Sequence, residues 1–242
     1  MALVTDWAGM TTQQTAGATL RVESRLFGPL PRLGAASGLL GFALTIAAIV
    51  VGATTGTVAA NPGARPEEIA RAYGTAAVPP VWVGAALQML ALLCLFGFAT
   101  YLGDDKRWGW LSGLTAGAGQ TFVALTLAGF AIGSLARFRA GPDLDVSAAV
   151  ALFDIHVALY VASWAIGALF MGAAALQAFR SRTLPGWLCV AAACVAVLNL
   201  AAVALPTSPL ASFPNLLIWL WTVAASAYLV FWGERTTQGM HA

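Results

Sequence analysis

The sequence predicts an all-α protein, a polytopic membrane helix bundle of six transmembrane helices with both termini cytoplasmic. Composition, six long apolar runs and the placement of the basic residues support this prediction. Of the 242 residues, 60% are hydrophobic and only 9% are charged, and the mean hydropathy is +0.80. A soluble domain carries about 25% charged residues. The lipid bilayer is therefore the predicted surrounding of this chain and its first partner.

Apolar runs of about 20 residues are long enough to cross a bilayer as helices. Six such runs occupy residues 33–59, 80–103, 109–136, 148–178, 186–205 and 214–233. The motif "TVAAN" (57–61) is similar to a signal-peptidase site, but the run before it is far longer than a signal core of about 7–15 residues. We therefore expect a retained first span. The predicted regions are a cytoplasmic N-terminal segment 1–32, a six-span membrane domain 33–233 and a cytoplasmic tail 234–242.

The basic residues predict which ends of the spans face the cytoplasm. One set of connections holds eight of them, namely Arg21, Arg25, Arg32, Lys106, Arg107, Arg180, Arg182 and Arg235. The alternate set holds four, namely Arg65, Arg71, Arg137 and Arg139. Since Lys and Arg are enriched on the cytoplasmic side, both termini are expected there, in a multi-pass protein of a bacterial inner (plasma) membrane. A net charge of +2 is too small to indicate nucleic acid as a partner.

Small residues recur at helical spacing in two of the spans. The first span has such a face at Gly34, Ser37, Gly38, Gly41, Gly52 and Gly56. The third span carries "GLTAG" (113–117) and "GFAIG" (129–133). Faces of this kind let helix backbones approach closely in lipid. We expect them to build the internal bundle, with dimerisation through one of them as the alternative.

The tripeptide Gly-Trp-Leu begins two of the spans, at Gly109 and at Gly186. Each copy follows a short basic loop. Spans two and three and spans four and five are therefore predicted to be two copies of one helical hairpin. Parallel repeats of this kind occur in transporters, and duplicated hairpins occur in scaffolds as well.

The first outer connection carries the signals of a short helix, "RPEEIARAY" (65–73). Pro66 suits a first helical turn, and the two glutamates after it complement the positive end of the helix dipole. Ile69, Ala72 and Tyr73 would line the other face. We expect a helix on the outer surface, either an ordinary interfacial helix or the cap of a pocket.

Two ionisable residues lie near the start of the fourth span, and their depth in the membrane decides whether they are a buried site or a solvated helix start. Asp145 or Ser147 is expected to cap this helix. Counting back about 20 residues from the basic end of the span puts the start of the hydrocarbon core near Tyr160. Asp154 and His156 then lie about 6–9 Å outside the core. An ionised carboxylate costs far less there than at the midplane.

A candidate pocket nevertheless follows from the length of this run, because a tilted or displaced helix would turn Asp154 into the bundle. Its residues are Asp154, His156, Tyr160, Ser163 and Trp164. Two residues rotate a helical side chain by about 200°, so Asp154 and His156 are not a catalytic dyad by themselves. The sequence leaves two interpretations open. One is a cavity with an aromatic wall and a titratable mouth, and the other is helix packing with a solvated helix start.

Several common chemistries lack their residues in this chain. No lysine lies in a span, and the motifs H-E-x-x-H, G-x-S-x-G and the P-loop do not occur. No catalytic residue, metal site or cofactor is predicted, and whether the protein is an enzyme stays open. Gln120 and Asn199 lie deep enough in their spans to need partners, which we expect to be interhelical hydrogen bonds.

Two interfacial stretches, "LFGFATYLGDDKRWGWLSG" (95–113) and "LFMGAAALQAFRSRTLPGWLCV" (169–190), resemble a bacterial six-span family known only as domain of unknown function 4386. That family combines an aromatic-Leu helix end, a short basic turn and a Pro-x-Trp-Leu restart, which Pro185 and Trp187 match here. An acidic residue often opens its fourth helix, and Asp154 is the matching position. The resemblance implies the six-span fold and the topology, and it implies no activity.

Two functions remain as hypotheses. The first is a non-enzymatic accessory or scaffold subunit that packs against another membrane subunit or a second copy of itself. The alternative is a carrier, membrane enzyme or binding protein for a lipophilic small molecule. Its pocket would open at the outer leaflet near Asp154 and His156, with Asp154 as proton donor or acceptor.

Overall fold

The computed structural model describes residues 30–54, 63–74, 79–104, 109–139, 145–206, 208 and 213–238. These residues form seven helices and no strand: α1 (Leu30–Thr54), α2 (Pro66–Gly74), α3 (Pro79–Leu102), α4 (Trp110–Arg139), α5 (Val146–Ser181), α6 (Gly186–Ala204) and α7 (Phe213–Gln238). Six of them, all but α2, are long and apolar enough to cross a membrane. The predicted all-α fold with six transmembrane helices is thus confirmed, and the chain is a multi-pass membrane protein. The cytoplasmic placement of both termini stays a prediction.

The apolar spans of the structure agree with the predicted runs to within a few residues. They are Arg32–Thr54, Val81–Leu102, Trp110–Leu135, Val146–Ser181, Gly186–Ala204 and Phe213–Trp232. The motif at 57–61, nearly all of the segment 1–32 and the end of the tail lie outside the described residues. We call the end of the bundle that carries Arg180 and Arg182 the inner end. The opposite end, which carries α2, is called the outer end, after the predicted orientation.

Helix α5 is the longest of the seven and extends beyond a single membrane crossing. Its 36 residues span about 54 Å at 1.5 Å per residue, whereas the hydrocarbon core is about 30 Å thick. It packs mainly on α4 and α6, and its first turns carry α2. Ile69 and Tyr73 of α2 are buried against Ala149 and Phe153 of α5. The predicted surface helix is therefore present, and it covers the outer turns of α5.

Close helix contacts confirm the small-residue prediction for part of the chain. A Cβ at Gly38 of α1 would collide with Ser226 Oγ and would lie 2.8 Å from the Thr222 methyl group of α7. A Cβ at Gly41 would lie 3.0 Å from the Ala91 carbonyl oxygen of α3. At these two positions only a glycine lets α1 approach both neighbours without displacing them.

The prediction is wrong for "GLTAG". A Cβ added at Gly113 or Gly117 would meet no atom within 4 Å, and the same holds at Gly52. Both glycines of the "GLTAG" motif are exposed on the outside of α4. The other motif of α4, "GFAIG", does face the bundle, since a Cβ at Gly133 would lie 3.3 Å from the His156 ring. Gly113 and Gly129, which begin the two motifs, are 16 residues apart. At about 100° per residue this is four whole turns and about 160° more, so the two motifs lie on nearly opposite faces of α4.

The Gly-Trp-Leu tripeptides occupy equivalent positions at the inner end. Trp110 and Trp187 are 71% and 64% exposed at the starts of α4 and α6, while Leu111 and Leu188, which follow them, are buried. Exposed indoles at helix ends suit a membrane–water interface. Each tripeptide thus places one indole in the interface and one leucine in the core. Common descent of the two hairpins stays a prediction.

Side-chain hydrogen bonds join the helices near the inner end. Gln177 Nε2 of α5 donates to the Leu102 carbonyl oxygen of α3 at 2.8 Å. Trp221 Nε1 of α7 donates to the Leu188 carbonyl oxygen of α6 at 2.9 Å. Leu102 is the last residue of α3, so its carbonyl has no partner within the helix and the Gln177 bond satisfies it. The Leu188 carbonyl lies near the start of α6 and accepts the indole N–H with its second lone pair.

The two deep amides differ in their partners. Gln120 Nε2 of α4 donates to Thr100 Oγ1 of α3 at 3.0 Å, as expected. For Asn199 the expectation is wrong, because its Nδ2 donates to Val195 of its own helix at 2.9 Å. The Asn199 oxygen Oδ1 is buried without a hydrogen-bond partner among the described residues.

Candidate functional site

Four rings follow one another along the outer half of α5. Phe153, His156, Tyr160 and Trp164 are spaced three and four residues apart, so they share one helix face. The His156 and Tyr160 rings are stacked, with centroids 6.1 Å apart and planes inclined by 9°. Tyr160 and Trp164 meet edge to face at 5.2 Å. We call these four residues the aromatic stripe.

His156 anchors the stripe to α4. Its Nδ1 lies 2.7 Å from the Gly129 carbonyl oxygen. Because a carbonyl can only accept, Nδ1 carries the proton in this contact. Gly129 and Gly133 leave room for the imidazole because they have no side chain. A Cβ at Gly133 would lie only 3.3 Å from Nδ1, which is a tight contact. The histidine therefore works as a helix–helix contact.

The inner half of the stripe meets α7 through a polar contact. Asn215 Nδ2 donates to the Tyr160 hydroxyl oxygen at 2.7 Å. The Asn215 oxygen Oδ1 is buried and has no partner among the described residues. The indole N–H of Trp164 lies near the Tyr160 hydroxyl but does not meet hydrogen-bond geometry with it. We call the polar atoms of Tyr160, Trp164 and Asn215 the outer polar cluster.

This cluster keeps unused hydrogen-bonding capacity of both kinds. The Tyr160 hydroxyl and the Trp164 indole can each donate one more bond, and Asn215 Oδ1 can accept one. Trp164 is 3% exposed, and the Ala202 and Val203 side chains of α6 pack around it. Buried polar atoms of this kind are normally paired with protein or water. The cluster therefore has the donor and acceptor capacity to bind one further polar group between α5 and α7.

Asp154 and Ser163, the remaining predicted pocket residues, do not join this cluster. Asp154 is exposed and makes no hydrogen bond or ion pair within the described ranges. Ser163 is fully buried, and its hydroxyl donates to the Tyr160 backbone carbonyl at 2.7 Å. The structure thus brings His156, Tyr160 and Trp164 together, leaves Asp154 at the surface and uses Ser163 within its own helix.

Helix α5 starts at one of the two residues that the sequence offers as its cap. Asp145 is the N-cap residue, in an extended conformation, but its side chain makes no capping hydrogen bond to the first turn. Its carboxylate instead accepts a hydrogen bond from the Ser147 hydroxyl. That bond, together with the nearby N–H groups of the first turn, lowers the pKa of Asp145 below its ordinary value. The acid is therefore ionised at neutral pH and complements the positive end of the α5 dipole.

Helix α2 covers the outer end of the stripe. The Tyr73 and Phe153 rings meet edge to face with centroids 6.3 Å apart. Burial raises the pKa of the Tyr73 hydroxyl, and the positive charge of Arg137 on α4 opposes part of that rise. The Glu68 carboxylate accepts from the Arg65 backbone N–H at 3.2 Å and so stabilises the start of α2.

Sequence reasoning missed three contributors to this site. Phe153 lies three residues before His156, so the helical spacing of the stripe could have identified it. Tyr73 was expected on the face of α2 opposite its glutamates, but its contact with Phe153 of α5 was not predicted. Asn215 lies 55 residues from Tyr160 in sequence, and no local pattern connects the two.

Among the described residues, no group of three or more His, Cys, Asp or Glu side chains could hold a metal ion. No family model, curated protein or solved structure matches this chain.

Proposed function

We propose that this protein is a non-enzymatic accessory or scaffold subunit of a bacterial inner membrane, and that α4 packs against a helix of another membrane subunit or of a second copy. The observation that supports the proposal is the outward face of α4. We call this surface the α4 face. Its exposed positions are Trp110, Gly113, Gly117, Thr121, Ala124, Ala128, Ala131 and Leu135.

The α4 face is unusual for a surface that meets lipid. Between Trp110 and Leu135, no exposed side chain of this face is larger than threonine. Lipid-facing positions of the neighbouring helices hold large residues instead, such as Leu93 on α3, Leu169 on α5 and Val197 on α6. Of the four helices compared, α4 is the one whose outward face lacks such residues between Trp110 and Leu135.

Helix association in lipid depends on close packing, because lipid tails are as apolar as leucine. Glycine and alanine bring two backbones near enough for extensive van der Waals contact. Against acyl chains the same residues offer little contact area. A long face of small residues therefore makes more van der Waals contact with another helix than with lipid.

The test is Gly117→Leu, which adds a large side chain where a Cβ meets no atom within 4 Å. The monomer should keep its helix content and thermal stability. Assembly, measured by native mass spectrometry from membranes and by cross-linking, should be lost. The matched control is Ala193→Leu, because Ala193 is also exposed but lies on α6. Assembly that survives Gly117→Leu, or a wild-type chain that is monomeric without a co-purified subunit, contradicts the proposal.

A second candidate function is a site for a lipophilic small molecule with a polar end, in a carrier, a binding protein or a membrane enzyme. The outer polar cluster favours it, since a buried indole N–H and a buried amide oxygen lack partners there. A ligand hydroxyl would satisfy both, since it can accept from the indole N–H and donate to the amide oxygen. Asp154 is the remaining candidate for proton exchange in such a site, at its exposed mouth.

Native mass spectrometry with lipid extraction tests this candidate. A stoichiometric lipophile should accompany the wild-type chain and should be lost from Asn215→Leu, which removes the polar end of the site. Asp154→Asn should leave the lipophile in place unless the carboxylate contacts it. A wild-type preparation with no bound molecule besides bulk lipid would rule the site out.

The relation to the six-span family of unknown function stays a proposal. It is supported by the two Gly-Trp-Leu helix starts and by the TLPGWL turn around Pro185. It adds no activity to either candidate.

A further inference from the structure

A shallow groove of about 590 Å³ lies at the inner end of the bundle, where α5 ends and α6 begins. Its walls are formed by Phe179, Arg180, Arg182, Leu184, Gly186 and Cys189. The turn between the two helices is short, running from Arg182 to Pro185. Both helix ends therefore face the same small space.

Two arginines make the groove strongly basic. Arg180 and Arg182 are exposed, and neither forms a hydrogen bond or an ion pair with another residue in the described part of the chain. Arg182 also has a left-handed backbone, with φ 56° and ψ 27°. Glycine or asparagine adopts this conformation at lower cost. An arginine at this position thus adds a charge to the groove at some conformational cost.

The start of α6 adds a further positive element to the same groove. Pro185 is the N-cap, and it makes no side-chain hydrogen bond to the first turn. Gly186 and Trp187, the first two residues of the helix, are exposed. The first N–H groups of a helix lack intrahelical partners and carry partial positive charge. They complement an anion together with the two guanidinium groups.

An apolar surface leads from the groove towards the middle of the membrane. Trp187, Val190, Cys194 and Val197 are all exposed on α6. Their spacing of three and four residues places them on one helix face. Phe179, 69% exposed at the end of α5, stands on the other side of the groove. Acyl chains can pack against such a surface, whereas it would not contribute to the binding of a soluble anion.

We propose that this groove is a binding site for an anionic phospholipid of the inner leaflet. The headgroup phosphate is held by Arg180, Arg182 and the first N–H groups of α6, and the acyl chains run along the exposed face of α6. Arginine suits phosphate because its planar donors bind two oxygens at once. Basic pockets between helix ends on the cytoplasmic side bind anionic headgroups in this way. The inference is independent of the α4 face and of the outer polar cluster.

The experiment measures binding of phosphatidylglycerol and of phosphatidylcholine to the purified full chain by native mass spectrometry. The wild-type chain should bind phosphatidylglycerol in preference to phosphatidylcholine, with one tightest site. The variant Arg180→Gln/Arg182→Asn should bind phosphatidylglycerol about tenfold more weakly at that site, because two phosphate-binding charges are removed. Asparagine is chosen at 182 because it tolerates the left-handed backbone.

The matched control is Arg65→Gln/Arg71→Gln, which removes two exposed arginines at the outer end. It should bind phosphatidylglycerol as the wild-type chain does. An equal loss in both double variants would show that only net charge matters, and would overturn the proposal. So would a wild-type chain without a preference for phosphatidylglycerol, a measurement that needs no variant. Full displacement of the lipid by millimolar inorganic phosphate would assign the groove to free phosphate and would also overturn it.

Discussion

His156 of α5 and Gly129 of α4 are joined by a contact of 2.7 Å between the imidazole Nδ1 and the backbone carbonyl oxygen. The contact exists because Gly129 and Gly133 expose the backbone of α4 to the ring. Through this contact the only histidine within a predicted span holds the two longest described helices together. The position of His156 is thus explained in part by helix packing.

The first prediction concerns this contact. His156→Leu fills the space of the imidazole with an apolar side chain but removes the hydrogen-bond donor. The free energy of unfolding should therefore fall by about 0.5–1.5 kcal/mol, the usual net value of one hydrogen bond. Thermal unfolding in mild detergent, followed by circular dichroism, measures it. Asp154→Asn is the control and should change stability by less than about 0.5 kcal/mol, because Asp154 is exposed. A larger effect at Asp154 than at His156 would contradict this assignment.

The second prediction concerns the close approach of α1 to α7. Gly38→Ala should lower the free energy of unfolding by about 1–3 kcal/mol, because the new methyl group collides with Ser226 and Thr222. Gly172→Ala is the control, since its Cβ would meet its nearest neighbour, Ala196 Cβ, at 3.9 Å. It should be neutral or slightly stabilising, because alanine favours helix more than glycine. Adding Ser226→Ala to Gly38→Ala should recover part of the loss.

The third prediction concerns Asn199, whose Oδ1 is buried without a partner. Asn199→Leu has nearly the same shape and removes the unpaired acceptor, which costs about 1–3 kcal/mol when buried. The variant should therefore be at least as stable as the wild-type chain in an SDS-unfolding titration. Asn199→Ala should be less stable because it leaves a cavity. A marked loss with leucine would reveal a polar partner that Asn199 holds.

The fourth prediction concerns the hydrogen bond between Tyr160 and Asn215. Tyr160→Phe leaves the Asn215 amide buried without its acceptor, so stability should fall by about 1–3 kcal/mol. In Asn215→Leu the same tyrosine substitution should cost much less. A double-mutant cycle of unfolding free energies measures the difference. Equal costs in both backgrounds would mean that the bond does not contribute.

The fifth prediction concerns pH and α2. Because burial raises the pKa of Tyr73 in the folded protein, its neutral form stabilises the packing of α2 on α5. That stabilisation is fully present below the ordinary tyrosine pKa of about 10 and is lost as pH rises through the raised value. The protection of residues 66–74 from hydrogen exchange, expressed relative to the intrinsic base-catalysed rate, should therefore fall at alkaline pH. Tyr73→Phe should remove this fall in protection; an unchanged pH profile in Tyr73→Phe would assign it to another group.

The partners of individual side chains could be predicted only where both lie close in sequence. Asp145 occupies the N-cap position of α5, one of the two positions expected, because the start of a helix is decided within one turn, although its side chain makes no capping hydrogen bond. Gln120 and Asn199 are alike in sequence terms, both amides deep in an apolar run. One bonds to a neighbouring helix and the other to its own. Which occurs depends on the residue that the adjacent helix presents at that depth.

The sequence by itself determined the six spans, the cap of α5 and the face that α2 buries, because these follow from hydrophobicity and from interactions within a few residues. Only the tertiary structure decided which glycines are used inside the bundle. Gly113 and Gly129 begin equivalent motifs on one helix, yet the first has open space beside it and the second supports His156. In lipid every helix face is apolar, so polarity does not indicate which face turns inward. That choice depends on how the neighbouring helices pack.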